Sequence, residues 1–332
     1  MIWYKNNDND IVISTRIRLA RNVEGVPFPN ALVDKSGLTE KIKEAVINSN
    51  STLSKEFEFI QLDDVSPDKK QALAEEHMIS FDMLSGNQKS VLISKDRTMS
   101  IMLMEEDHIR LQVIENGFCL DEAYETADKI DDVLEENLKF EFDEEWGYLT
   151  ACPTNAGTGL RASVMMHLPA LSMTNNMQRI ISSAQNLGIT VRGMYGEGSK
   201  AEGNIYQISN SITEGFSEKE IIEKVKNVVN QICELEEKAR KNLMKSSDDL
   251  SDRVYRAFGT LKYARKISSK EAKTLLSDVL LGQKMVIISE RGKILPVELM
   301  VRCEPALLCG EDILSPEKRD VKRAEFMRDN IL

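Results

Sequence analysis

Ser90-Val91-Leu92-Ile93-Ser94, Thr98-Met99-Ser100-Ile101-Met102-Leu103-Met104 and Ile109-Arg110-Leu111-Gln112-Val113-Ile114-Glu115 are three apolar runs separated by two short links. Runs of this length and composition read as strands. The links, Lys95-Asp96-Arg97 and Glu105-Glu106-Asp107-His108, are too short for a crossover helix, so an antiparallel meander is predicted. An acidic tetrapeptide is thereby placed on a tight connection at the end of two strands.

Outward from this core, Leu38–Ile47 has helical apolar spacing, and Ser66-Pro67 reads as an N-cap with proline at the first helical position. Leu120–Leu138 is predicted as an amphipathic helix with Ala123, Ala127, Ile130 and Leu134 inward. Strands over Gly147–Ala151 and Leu160–Leu168 are expected to flank the run Cys152-Pro153-Thr154-Asn155-Ala156-Gly157-Thr158-Gly159-Leu160-Arg161. Thr174 is expected to cap a helix that Gly188 ends, with strands Ile189–Met194 and Asn204–Ser209 after it. Between those strands, Tyr195–Gly203 has three glycines and reads as a mobile loop carrying acids, Glu197 among them. Ser217-x-x-Glu220 is a capping box opening a long helix to about Lys245. Lys245–Asp249 reads as a linker, followed by helices at Arg253–Arg265, Ser268–Leu281 and from Ser315-Pro316 to Asp329. The expected class is α/β (α+β): residues 1–245 form a domain with a mainly antiparallel sheet flanked by helices, and residues 250–332 a small helical domain.

Composition narrows the function. Apolar content of 42% and charged content of 29% fit a soluble globular chain, and 332 residues suit about two domains. A net charge of −11 argues against direct binding of nucleic acid and favours basic, arginine-rich substrates. The five scattered cysteines lack C-x-x-C spacing, which argues against disulfides and a zinc site. Neither a signal peptide nor a membrane-spanning apolar run is read, so a cytoplasmic location is expected.

The chemistry-bearing residues are arginines and glutamates. In the Cys152–Arg161 loop, glycines let backbone N–H groups approach an anion and Arg161 adds a forked contact; the same composition also suits an ordinary surface turn. Arg16 and Arg18 alternate on one strand face, and Arg110, Arg161 and Arg192 also fall in or beside strands. Together they form either a nest for a polyanion or five solvated surface residues. No P-loop, dinucleotide fingerprint or protein-kinase catalytic loop is present, so a nucleotide would have to be held by these arginines. Glu106 and Glu197 could grip a guanidinium from two sides, one of them accepting its proton.

These segments resemble the phosphagen (guanidino) kinases. Cys152–Arg161 is similar to their C-P-[ST]-N-x-G-T-G-x-R signature, Glu105–Arg110 to E-E-D-H-x-R, and Ser14–Arg18 to S-x-R-x-R. Arg192-Gly193 followed by Glu197 resembles their arginine and flexible-loop glutamate. The first arginine motif begins at Ser14, without the N-terminal helical domain that creatine and arginine kinases carry before it, and Met104 stands where they have asparagine. With Arg319-Asp320-Val321-Lys322-Arg323-Ala324 resembling an R-D-x-x-R-A phosphoarginine pocket, the chain is similar throughout to the bacterial protein-arginine kinases (McsB type).

The resemblance implies ATP and Mg²⁺, the metal carried by the nucleotide, with Ser14, Arg16, Arg18, His77, Arg110, Arg161 and Arg192 binding ATP. It implies Glu106 as base and anchor, Glu197 as second anchor and Cys152 beside the guanidino group. Arg319, Asp320 and Arg323 would bind phosphoarginine allosterically. It further implies protein substrates with accessible arginines, a McsA-type activator, a ClpC-type unfoldase acting with ClpP in the stress response, a CtsR-type heat-shock repressor as substrate, and a homodimer. A kinase for free arginine or another small guanidine is the alternative; a non-catalytic phosphoarginine-binding adaptor is a second.

Overall fold

The structure, a computed structural model, describes residues 2–49, 55–194, 201–310, 312 and 314–331. In chain order its first elements are β1 (Val12–Arg21), α1 (Ser36–Ile47), β2 (Phe57–Gln61), α2 (Pro67–Glu75), β3 (Ser90–Ser94), β4 (Met99–Leu103), β5 (Ile109–Asn116) and α3 (Leu120–Glu135). Then come β6 (Phe142–Asp143), β7 (Gly147–Tyr148), β8 (Leu160–His167), α4 (Pro169–Met173), α5 (Met177–Asn186), β9 (Ile189–Gly193) and β10 (Ile205–Asn210). The rest is helical: α6 (Glu218–Leu243), α7 (Ser247–Tyr263), α8 (Ser269–Lys284), α9 (Pro296–Arg302), α10 (Pro305–Cys309) and α11 (Pro316–Asn330).

Packing divides the chain into two compact units: Met1–Trp3, Thr15–Ser163 and Ser209–Lys226 in the first, and Tyr4–Ser14, Val164–Ile208 and Asn227–Leu332 in the second. This division by packing differs from the one drawn on composition at residues 245–250. In the first unit the strands run in the order β2-β3-β4-β5-β1-β8. The predicted meander is antiparallel throughout, with Val91 opposite Met102 and Met102 opposite Arg110. β3 and β4 are buried at every residue. α3 supplies Leu120, Ala123, Ala127, Ile130 and Leu134 to that core, and Asp131 lies buried among them.

In the second unit the strand order is β8-β10-β9, with α7, α8, α9 and α11 packed as a helical group. The N-terminus of α4 is capped from a distance: Glu236 accepts from the backbone N–H groups of Ala170 (3.0 Å) and Leu171 (2.9 Å) and pairs with Arg240 (2.9 Å).

The cap signals are realised. Ser66, Ser268 and Ser315 accept from the backbone N–H three residues on, and Ser217 and Glu220 form the reciprocal box. Four expectations change. Gly147–Ala151 yields only the two-residue β7, paired with β6 in a separate hairpin, because the chain turns away to build the Cys152 loop. Thr174 ends α4 rather than opening a helix, its hydroxyl turned back to Ala170 O (2.8 Å); α5 begins at Met177. Residues 244–249 continue the helical path from α6 into α7. The short helices α9 and α10, each opened by proline, were not predicted.

Candidate active site

On β1, Thr15, Ile17 and Leu19 are buried on one side, and Arg16 and Arg18 are half-buried on the other. Because β1 lies between β5 and β8, Arg110 and Arg161 join them from the neighbouring strands. Gln112, two residues after Arg110, donates to the carbonyl of His77 (2.7 Å), and the His77 ring meets Trp3 edge-on at 5.4 Å. Ser14 precedes Arg16 on the same strand; its buried hydroxyl has no hydrogen-bond partner among the described residues.

Four guanidinium groups therefore converge with one carboxylate among them. Glu105 pairs with Arg110 and accepts from the Ser80 hydroxyl. Burial alone would raise the Glu105 carboxyl, but Arg110 and Ser80 outweigh it and hold it below its ordinary value. Burial, then the charges of Arg110 and Arg161, push Arg16 down to about 9. Arg18 is driven well below its ordinary value by burial and by Arg16, Arg110 and Arg161. A guanidinium keeps its proton at neutral pH, so these shifts mean that the nest is short of negative charge. Burial, then Arg16 and Arg18, push His77 well below the usual histidine range, which leaves its ring neutral.

The acidic link divides its labour. Asp107 is buried and accepts from Asn22 Nδ2 (2.7 Å) and from the backbone N–H of Ala151 (2.7 Å), which ties the link to the entrance of the Cys152 loop. His108 Nδ1 accepts from the Val23 N–H (3.0 Å), so its Nε2 carries the proton and donates to Pro27 O (2.8 Å). The turn closes through the Met104 N–H on His108 O (3.1 Å), with Met104 at φ 62°. Asparagine tolerates that conformation better than methionine; here full burial holds Met104 in place. Glu106 alone on this link is exposed, and its side chain makes no hydrogen bond or ion pair among the described residues. Burial of its surroundings, then Asp107 and Glu105, raise its carboxyl above the ordinary value, as suits a proton acceptor.

The Cys152 loop is held from behind. Gly159 has φ 64°, and a Cβ there would lie 2.6 Å from Ala20 O, so only glycine fits. Arg21 donates to Thr158 O (3.0 Å), lies 3.6 Å over the Tyr148 ring and pairs with buried Asp131 (2.7 Å). Thr213 Oγ1 donates to Ala156 O (2.6 Å) and Thr154 O (3.0 Å). Cys152 is a free, half-buried thiol with Sγ 3.1 Å from Thr154 Oγ1. Arg161 reaches Ser209 Oγ (3.4 Å).

The structure thus brings together Arg16, Arg18, Arg110, Arg161 and His77, and ties the link of Glu106 to the loop of Cys152. Arg192 lies half-buried on β9 of the second unit, and Glu197 lies outside the described residues. Glu105, Asp107, Asn22 and Arg21 were not singled out from the sequence. Arg21 had one signal: its odd position puts it on the strand face opposite Arg16 and Arg18.

On α11, Arg319 and Asp320 are half-buried, and the Arg319 guanidinium makes no hydrogen bond or ion pair among the described residues. Arg323 is only 2% exposed and is committed to the interior: it donates to Cys303 O (2.9 Å), Ile267 O (3.0 Å) and Asp320 Oδ1 (2.7 Å). Through the last of these bonds it positions Asp320. No helix among the described residues is long and apolar enough to cross a membrane.

Comparison with known proteins gives concordant results. Residues 37–239 match the ATP:guanido phosphotransferase C-terminal catalytic domain, and residues 247–332 match the protein-arginine kinase McsB C-terminal domain. The chain is 47% identical to the protein-arginine kinase of Halothermothrix orenii, covering 98% of this chain and 94% of that one. It is 48% identical to the protein-arginine kinase of Caldanaerobacter subterraneus subsp. tengcongensis, covering 96% of each. Among solved structures it is similar to the duplicated taurocyamine kinase of Schistosoma mansoni with bound transition state analog components, at TM-score 0.60 and 30% identity. That match covers 68% of this chain and 33% of the duplicated one, so the chain spans about a third of its length.

Proposed function

The chain belongs to the protein-arginine kinases of the ATP:guanido phosphotransferase family, and from that premise we propose how its residues divide the work. Arg16, Arg18, Arg110 and Arg161 hold the triphosphate of ATP, with Ser14, His77 and Arg192 as further contacts. The observation that carries this reading is the convergence of four guanidinium groups with only Glu105 paired among them, beside Glu106, whose side chain makes no hydrogen bond or ion pair among the described residues.

Glu106 accepts a proton from the guanidinium of a substrate arginine. The freed nitrogen lone pair attacks the γ-phosphorus, the bond from that phosphorus to the β,γ-bridging oxygen breaks, and ADP leaves with the electron pair. Catalysis is positioning and charge neutralisation, as in other phosphoryl transfers. Glu197 is the second anchor and Cys152 contacts the guanidino group. A divalent ion, taken as Mg²⁺, would be carried by the nucleotide and would spread its charge.

In the second unit, Arg319 pairs with the phosphoryl group and Asp320 with the guanidinium of a phosphoarginine, so that product feeds back on activity. The proposed setting is cytoplasmic: a homodimer, working with a McsA-type activator, marks stress-damaged proteins and a CtsR-type repressor for a ClpC-type unfoldase with ClpP. The test is mass spectrometry for acid-labile phosphoarginine after incubation with MgATP and either an unfolded basic protein or free arginine. Incorporation into the protein is expected; incorporation into free arginine alone would overturn the protein-directed reading.

A further inference from the structure

Gly157 and Thr158, at the far end of the loop that carries Cys152, also line a cavity of about 290 Å³ that the reaction described above does not use. The other walls come from the β6–β7 hairpin and from the segment entering α6. Trp146 contributes an indole that is 51% exposed, with no ring or cation stacked on it among the described residues. Phe142 lines the cavity too, edge-on to Tyr148 at 5.2 Å. Glu145, Glu214 and Glu218 also line the cavity, and none has an ion-pair partner among the described residues.

An open aromatic face beside three carboxylates that have no ion-pair partner among the described residues suits a cation. The cavity walls already hold two such contacts: the Arg21 guanidinium lies 3.6 Å over the Tyr148 ring and the Lys224 ammonium 4.7 Å from the centre of the Phe216 ring, while the Trp146 face carries neither. A planar guanidinium can stack on Trp146 while forking to a carboxylate, whereas an ammonium offers a hydrated point charge. The cavity and the acceptor loop are one hydrogen-bonded piece, through Tyr148 N–H to Gly157 O (2.8 Å) and Thr213 Oγ1 to Ala156 O (2.6 Å).

We infer that this cavity docks a second basic side chain, arginine by preference, of the polypeptide being phosphorylated. This rests on the reading that the acceptor arginine lies at Glu106 and Cys152. Cys152 and Gly157 are five positions apart in the sequence, hence at most about 18 Å apart, a span that an extended peptide covers with about five residues. The enzyme would then select arginines in basic clusters over isolated ones.

The experiment compares, with the full chain and MgATP, two peptides bearing one acceptor arginine and either arginine or neutral citrulline about five residues away. The KM ratio of the citrulline to the arginine peptide is expected to be about 10 for the unaltered chain, from one stacked and paired cation. It should fall to about 1 in Trp146→Ala and in a Glu214→Gln, Glu218→Gln double variant, and stay near 10 in Trp146→Phe. Because the ratio is taken within each variant, a folding defect cancels. A ratio near 1 for the unaltered chain, or one near 10 in Trp146→Ala, overturns the proposal. Lysine in the second position should recover less of the gain; a larger gain from lysine than from arginine contradicts stacking on Trp146. If neither peptide is phosphorylated by the unaltered chain, the acceptor reading fails, and docking is read separately from Trp146 fluorescence. Trp3 is 1% exposed, so a change on adding a diarginine peptide reports the cavity. A change weakened by Glu214→Gln supports docking; no change overturns it.

Discussion

Arg18 on β1 and Arg323 on α11 are both arginines drawn out of water, and they end in opposite states. Arg323 finds two backbone carbonyls and Asp320, so three of its five N–H donors serve the fold of its own unit. Arg18 faces Arg16, Arg110 and Arg161, and its buried Nε has no hydrogen-bond partner among the described residues. A charge compensated from within holds structure together; one left uncompensated beside like charges is kept for something that arrives from outside. The same contrast separates neighbours on the acidic link. Glu105 and Asp107 are tied to Arg110, Asn22 and Ala151, while Glu106 is tied to nothing described.

Substitution should expose that difference, most strongly at the link. Glu106→Gln is expected to lower kcat by about 1,000-fold, within the range for loss of a general base, with the melting temperature unchanged because the side chain is exposed. The pH profile carries the same information. A base works only when deprotonated, and the Glu106 carboxyl is raised by burial, Asp107 and Glu105. kcat/KM should therefore fall with acid through a pH above the ordinary glutamate value of about 4.3; an acid limb at or below that value would argue for another base.

Next in size is Arg323→Met, which strands two carbonyls and Asp320 and should cost about 3 kcal/mol in urea unfolding. Arg18→Met should cost no stability, since it relieves repulsion, but should weaken ATP binding about 10- to 100-fold, as loss of a charged contact of about 1.5–3 kcal/mol implies. Equal stability losses at the two arginines would break the comparison. Smallest is Cys152→Ser: a contacting thiol outside the bond-making steps should change kcat by less than about tenfold, or about 1.4 kcal/mol.

Much of this was legible beforehand because it depends on local rules. Period-two alternation placed Arg16 and Arg18 on one face, short links dictated the β3-β4-β5 meander, and serine caps marked the starts of α2, α6, α8 and α11. What stayed hidden depends on distant partners. Nothing near Glu105 or Asp107 in sequence says that they serve Arg110 and Ala151 while Glu106 has no bonded partner among the described residues, because Ser80, Asn22 and Ala151 come from other parts of the chain. The bonds of Arg323 stayed hidden for the same reason: the carbonyls of Ile267 and Cys303 that it meets are 56 and 20 positions away. Gly147–Ala151 had strand composition, but its partner strand is only the two-residue β6, so composition overstated it.

The central claim is that the arginine nest binds the nucleotide and Glu106 activates the acceptor. The most direct measurement pairs calorimetric ATP affinity with phosphoarginine yield on an unfolded basic protein, for Glu106→Gln and Arg18→Met. Glu106→Gln should bind ATP as the unaltered chain does and give almost no phosphoarginine. Arg18→Met should bind ATP weakly and recover yield as ATP is raised. Full phosphoarginine yield from Glu106→Gln, or undiminished ATP affinity in Arg18→Met, would contradict the account.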